Sequence, residues 1–146
     1  MLMSQYEAEL KAFTVLHRAT SAAQEATRKQ VLTSNLNLTE FAVLELLYHK
    51  GEQPIQVIGK KVLIASSSIT YVVDKLEQKG FVSRQSCAKD RRVTYAALTD
   101  LGKQQIEDIF PAHEQKIAQI FDVLSEQELE TLTKLLKRVG HHAASL

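Results

Sequence analysis

The chain is poor in the residues that punctuate or staple a fold. Cysteine occurs once in 146 residues, at Cys87, which excludes an internal disulfide framework. Neither proline nor glycine appears before Gly51. No apolar run approaches the roughly 18 residues that a membrane helix needs. The first ten residues lack both the basic and the apolar segment of a signal peptide, so a cytoplasmic location is the expectation. There is no glycine-rich phosphate loop and no nucleophile elbow, and the His141-His142 pair has no thiols beside it. No enzyme, metal site or cofactor is therefore expected.

What is present is ordinary globular composition, with 45% hydrophobic and 24% charged residues, enough for one domain with a real core. The net charge of +1 hides a gradient. Residues 59–98 carry Lys60, Lys61, Lys75, Lys79, Arg84, Lys89, Arg91 and Arg92 against only Asp74, Glu77 and Asp90. Residues 99–146 are net acidic and residues 1–50 balance. The positive charge sits where a polyanion would bind.

The basic stretch has a legible layout. Ile69, Val72, Val73 and Leu76 recur at helical spacing and make one apolar stripe. Ser66 is placed to cap that helix and Gly80 to stop it. The opposite face is Ser67, Ser68, Thr70, Tyr71, Asp74 and Lys75, rich in hydroxyls and short side chains. Two strand-like runs follow, Phe81–Cys87 and Val93–Leu98, joined by the cationic turn Ala88–Arg92. Helix, hairpin and basic tip together predict a winged helix-turn-helix, with a helix for the major groove and a wing for the minor groove.

The remaining elements are helical. Residues from about Ser4 to Leu32 read as one long helix, with Tyr6, Leu10, Phe13 and Leu16 as its first stripe and alanines continuing it. After a polar connection over Thr33–Leu38, Thr39 is expected to cap a helix over Glu40–Lys50, with Phe41, Leu44 and Leu47 facing in. Pro54 is expected at the first position of a third helix, whose stripe is Ile55, Ile58 and Val62, and Leu63–Ala65 make the turn into the recognition helix. Thr99 caps a helix through Phe110, where Pro111 should break or kink it. Ser125 and Glu128 form a capping box for a last helix carrying Leu129, Leu132, Leu135, Leu136 and Val139. The terminal helices hold more apolar stripes than a small winged domain can cover, so burial against a second subunit is inferred. The expected fold is mainly α with a small β-hairpin wing: a dimerisation helix over 1–34, a winged helix-turn-helix over 35–99 and dimerisation helices over 100–146.

These residues resemble the MarR family, the multiple-antibiotic-resistance-type regulators. The matching features are Leu38-Thr39 with Leu44 and Leu47; Ile69-Thr70 with Val72-Val73-Asp74, Leu76-Glu77 and Gly80; Arg84; Asp90 with Arg92; and Leu98-Thr99 with Gly102. The resemblance covers nearly the whole chain in order. It implies a homodimer with interlocked terminal helices that binds a palindromic operator, and a ligand pocket between the winged domain and the dimer helices. Many members place Arg just after the recognition Thr, where this chain has Tyr71. Tyr can contact a thymine methyl but cannot clamp guanine bidentately. Residues 36–59 and 66–76 are also similar to a branch that controls detoxification of quinones, hydroquinones and related aromatics.

The candidate sites follow. Ser66, Ser67, Ser68, Thr70 and Tyr71 are candidates for base edges, and Lys75, Lys89 and Arg91 for phosphates. Arg92 is the candidate for the minor groove, with Asp90 holding it and Arg84 supporting the wing. Phe13, His17, Phe41 and Tyr48 are placed near the effector pocket. Cys87, with cations close by in sequence, is the candidate for a thiol-based response to oxidants or electrophiles. The expected function is a DNA-binding repressor acting on A·T-rich palindromic double-stranded DNA and released by a small phenolic or quinone-like molecule. The alternatives are a winged-helix module that binds a partner protein, and an electrophile sensor acting through Cys87.

Overall fold

The computed structural model describes residues 4–62 and 66–146, apart from the side chains of Ser66 and Ser67. The expected turn at Leu63–Ala65 and the Ser66 cap lie outside the described residues. In chain order the elements are α1 (Glu7–Leu32), α2 (Leu38–Lys50), β1 (Gln53–Pro54), α3 (Ile55–Lys61), α4 (Ser66–Gln78), β2 (Val82–Ser86), β3 (Thr94–Leu98), α5 (Asp100–Phe121) and α6 (Glu126–Ala144). The winged helix-turn-helix is present, flanked by long helices from both ends of the chain.

One core joins these elements. Phe41, Val43, Leu44 and Leu47 of α2 meet Ile55 and Ile58 of α3 and Ile69, Val73 and Leu76 of α4. Val82 and Ala96 close it from the sheet. Val31 of α1 and Ile106 and Ile109 of α5 belong to the same cluster, so the long helices are rooted in the winged core at one end. Away from it they are bare. Tyr6, just before α1, and Leu10, Phe13, Val15 and Leu16 within it are exposed. No residue of α6 is buried, and Leu129, Leu135, Leu136 and Val139 face solvent.

Three local expectations are corrected. Asn37, not Thr39, caps α2: its side chain accepts from the Glu40 amide at 2.7 Å, and Glu40 reaches back to the Asn37 amide at 3.1 Å. This reciprocal box satisfies two orphan donors, so it outcompetes a lone threonine. Pro54 is not inside α3 but precedes it, and with Gln53 it forms a third strand antiparallel to β3. The sheet order is β1-β3-β2, so Pro54 lies on an edge strand where a missing amide is tolerated. Finally, α5 continues through Pro111 to Phe121. Proline there forfeits the amide that would bond the Glu107 carbonyl, and the residue is exposed. The turns on either side carry the helix past it.

The connection from α4 to α5 is tightly specified. Gly80, at φ +81°, ends α4 as expected. Its amide donates to the Glu77 carbonyl, and that of Phe81 donates to the Leu76 carbonyl, both at 3.0 Å, the paired bonds of a Schellman motif. Thr99 stitches this turn to α5: its hydroxyl donates to the Gly80 carbonyl at 2.6 Å and accepts from the Gly102 amide at 3.0 Å. A Cβ on Gly102 would lie 2.0 Å from the Phe81 carbonyl oxygen. Gly102→Ala must therefore push α5 away from the wing. Thermal unfolding at fixed protein concentration should show a loss of about 1–3 kcal/mol or more; an unchanged midpoint would contradict this packing.

Candidate nucleic-acid interface

The stripe read from the sequence divides α4 into two faces. Ile69, Val73 and Leu76 are fully buried and Val72 nearly so. On the outside, Ser68, Thr70, Tyr71 and Lys75 are exposed, while Asp74 is half-buried. Tyr71 is 61% exposed, and the Lys75 ammonium sits 5.4 Å from its ring centre. The expected hydroxyl-rich outer face is thus present across the described side chains.

Arg84 on β2 joins this face to the wing. Its guanidinium is 2.5 Å from the Asp74 carboxylate, donates to Glu77 Oε1 at 3.1 Å and reaches the Thr70 carbonyl at 3.3 Å. One side chain therefore grips three successive turns of α4. It also neutralises Asp74, whose charge would otherwise repel an anion approaching the outer face. From β2 the chain turns through residues 87–93 into β3. The ladder pairs Arg84 with Ala96 and Ser86 with Thr94, and the Cys87 amide donates to the Val93 carbonyl at 2.9 Å.

The tip is organised by Asp90. Its Oδ1 accepts from the Arg92 amide at 3.0 Å and from Arg92 Nε at 3.2 Å. Those bonds hold the Asp90 carboxyl below the usual carboxylate range. Arg92 remains 92% exposed while held there. The eight cations of the basic stretch thus divide. Lys79 is consumed by structure, bonding the buried Glu40 at 2.8 Å and the Asn35 carbonyl at 3.0 Å, and Arg84 is held by Asp74 and Glu77. Among the described residues no ion pair holds Lys60, Lys61, Lys75, Lys89 or Arg91.

Residues 36–94 match the MarR family. Over 137 residues, 94% of each chain, the sequence is 53% identical to the HTH-type transcriptional regulator MhqR of Bacillus subtilis (strain 168). The chain belongs to the MarR family. The fold agrees with that of solved members: AbsC of Streptomyces coelicolor superposes with a TM-score of 0.88 at 19% identity, covering 100% of this chain and 99% of that one. Sco3205 of the same organism, solved in complex with DNA, gives 0.87 at 20% identity over 97% and 91%. These relatives are transcriptional regulators, and so is this chain; it is not an enzyme.

The structure separates the four residues expected near an effector. Phe13 and His17 are exposed on the outer part of α1, Phe13 at 72%. Phe41 is a core residue, 1% exposed, with its ring 4.5 Å from that of His113. Only Tyr48 borders an open cleft of about 500 Å³, shared with Leu47, Leu98, Thr99, Asp100, Lys103 and Glu107. Its hydroxyl donates to Glu107 at 3.2 Å, linking α2 to α5, and that hydrogen bond, followed by the carboxylate's charge, raises the phenol's pKa. Sequence reasoning missed Glu107, and also His49, Phe110 and His113, whose rings form a chain with Tyr48 and Phe41. An expected break at Pro111 set His113 apart from the others, and nothing local in the sequence shows that α5 brings Glu107 and Phe110 against α2. Cys87, just beyond β2, is half-buried. Among the described residues no helix is long and apolar enough to cross a membrane.

A double-mutant cycle checks the wing clamp. Arg84→Met and Asp74→Asn should each destabilise the protein to denaturant, and the pair should show a coupling of about 0.5–1 kcal/mol, as expected for a half-exposed ion pair. Strict additivity would mean that the contact contributes nothing.

Proposed function

We propose that this MarR regulator is a cytoplasmic homodimer that represses transcription by binding A·T-rich palindromic DNA. Residues 35–99 make the contacts, with α4 in the major groove and the wing tip in the minor groove. Residues 1–34 and 100–146 supply the dimer interface, where the exposed stripes of α1 and α6 cover one another; each large apolar side chain so buried contributes about 1.5–3 kcal/mol. One observation carries the reading: Arg84 locks the exposed hydroxyl face of α4 to a wing whose Arg92 guanidinium stands in solvent. Helix and arginine are thus presented as one rigid unit.

In this reading Ser66, Ser67, Ser68, Thr70 and Tyr71 meet base edges, and Lys75, Lys89 and Arg91 meet phosphates. Arg92 enters the minor groove, where a narrow A·T tract concentrates negative potential. A small phenolic or quinone-like effector binds the cleft beside Tyr48 and Glu107. It acts by changing the spacing of the two recognition helices, since a ligand can shift the equilibrium only through its differential affinity for two states. The cleft supports this because it lies between the winged core and α5, with a phenol-to-carboxylate bond across it. The resemblance to the quinone-responsive branch supports the effector class.

Two experiments test these assignments. In titrations on the duplex DNA flanking its own gene, a dimer making 6–10 phosphate contacts should lose roughly 10³–10⁵ in affinity between 50 and 200 mM salt. On the same duplex Arg92→Ala should bind at least about tenfold more weakly with the dimer intact. A flat salt response with a neutral Arg92→Ala would instead favour a protein-binding module. Cys87→Ser should retain release by phenols and quinones; loss of release in that variant would move the effector chemistry from the cleft to the thiol.

A further inference from the structure

The outer face of α4 carries an aromatic side chain at its centre. At about 100° per residue, Tyr71 falls roughly 30° from the pole opposite the buried stripe of Ile69, Val72, Val73 and Leu76. Its neighbours on the described face, Ser68 and Thr70, are short. A surface that approaches α4 along its outward direction therefore meets the tyrosine ring before it meets any backbone. The ring is also braced. Lys75, one turn on, holds its ammonium 5.4 Å from the ring centre, an attraction that restricts the rotamers of both side chains. Asp74, about as far from the pole on its other side, has one carboxylate oxygen held by Arg84, and Gln78, nearer the pole, lies two turns further along the helix.

We infer that Tyr71, braced by Lys75, is a specificity-determining residue that selects thymine through its 5-methyl group. The inference rests on the DNA-binding reading above and assigns the base chemistry that this position reads. In the major groove the thymine methyl is the only apolar handle among the base edges, and guanine offers two acceptors suited to a forked donor. A phenol has one donor and a flat apolar face. It covers a methyl well and cannot make the paired bonds that favour guanine. The ammonium over the ring stays within reach of a phosphate, so ring placement and backbone charge are supplied by one pair of residues.

A palindromic duplex selected by the protein from a random pool provides the probe. Replacing single thymines by uracil removes one methyl and leaves every hydrogen-bonding group in place. At one position in each half-site the substitution should weaken binding about fourfold, the equivalent of ~0.8 kcal/mol for one buried carbon. Tyr71→Phe should keep that thymine-over-uracil ratio, because the ring supplies the contact. Tyr71→Ala should abolish it, and Lys75→Met should narrow it. Tyr71→Arg should move the selected base at that position toward guanine. The assignment is overturned if no uracil substitution affects the unmodified protein, or if the effect survives unchanged in Tyr71→Ala. Failure of the DNA-binding reading itself is distinguishable: the salt series and Arg92→Ala would then fail together with every uracil substitution.

Discussion

A β-hairpin has little rigidity of its own in water, so a wing can aim its tip only if the domain holds it. Here β1 pairs with β3, Val82 and Ala96 root the hairpin in the core, and Arg84 ties β2 to the outer part of α4. Its guanidinium spends donors on Asp74, Glu77 and the Thr70 carbonyl, which lie on successive turns of α4. A planar, permanently charged fork suits this arrangement, because it can serve several acceptors at fixed relative angles, as a lysine ammonium could not. The same bonds discharge the carboxylate nearest the outward pole of α4. One side chain thus adds to both the geometry and the electrostatics of this face of the protein.

The basic stretch is best understood by what each charge already holds. Lys79 compensates Glu40, a buried carboxylate that also completes the cap of α2. Losing that cation would leave an unpaired buried charge. Arg92 is different: its partner Asp90 is two residues away on the same exposed turn, so the bond orders the tip without removing the guanidinium from solvent. Charge count alone does not separate such roles. The partners do.

The long helices follow a second logic. They are anchored in the winged core through Val31, Ile106 and Ile109 and then run out with apolar stripes uncovered. Such stripes on α1 and α6 are what a second copy would bury. The cleft beside Tyr48 sits where this outward-running scaffold leaves the core, and the Tyr48–Glu107 bond crosses the junction. An event there acts at the joint between the part that would pair and the part that would read DNA.

Much of the fold was legible because its signals are local. The stripes of α2 and α4, the stop at Gly80, the cap at Thr99, the box at Ser125 and the two wing strands all depend on spacings of a few residues, and the structure has each of them. The α2 cap was a local contest, won by the Asn37–Glu40 box; the other misses turned on what the fold places beside a residue. Strand β1 exists because β3 offers a free edge. Helix α5 runs through an exposed Pro111. Phe41 went to the core and Tyr48 to a cleft, although both lie on α2 one heptad apart. The sequence by itself determined which segments are helices, which form the hairpin and which face of α4 is outward, since periodicity is a property of neighbours. Only the tertiary structure decided that Lys79 is spent on Glu40, which acceptors Arg84 grips and which aromatic borders the cleft, because a charged or aromatic side chain takes its partners from whatever the fold brings within a few ångströms of it.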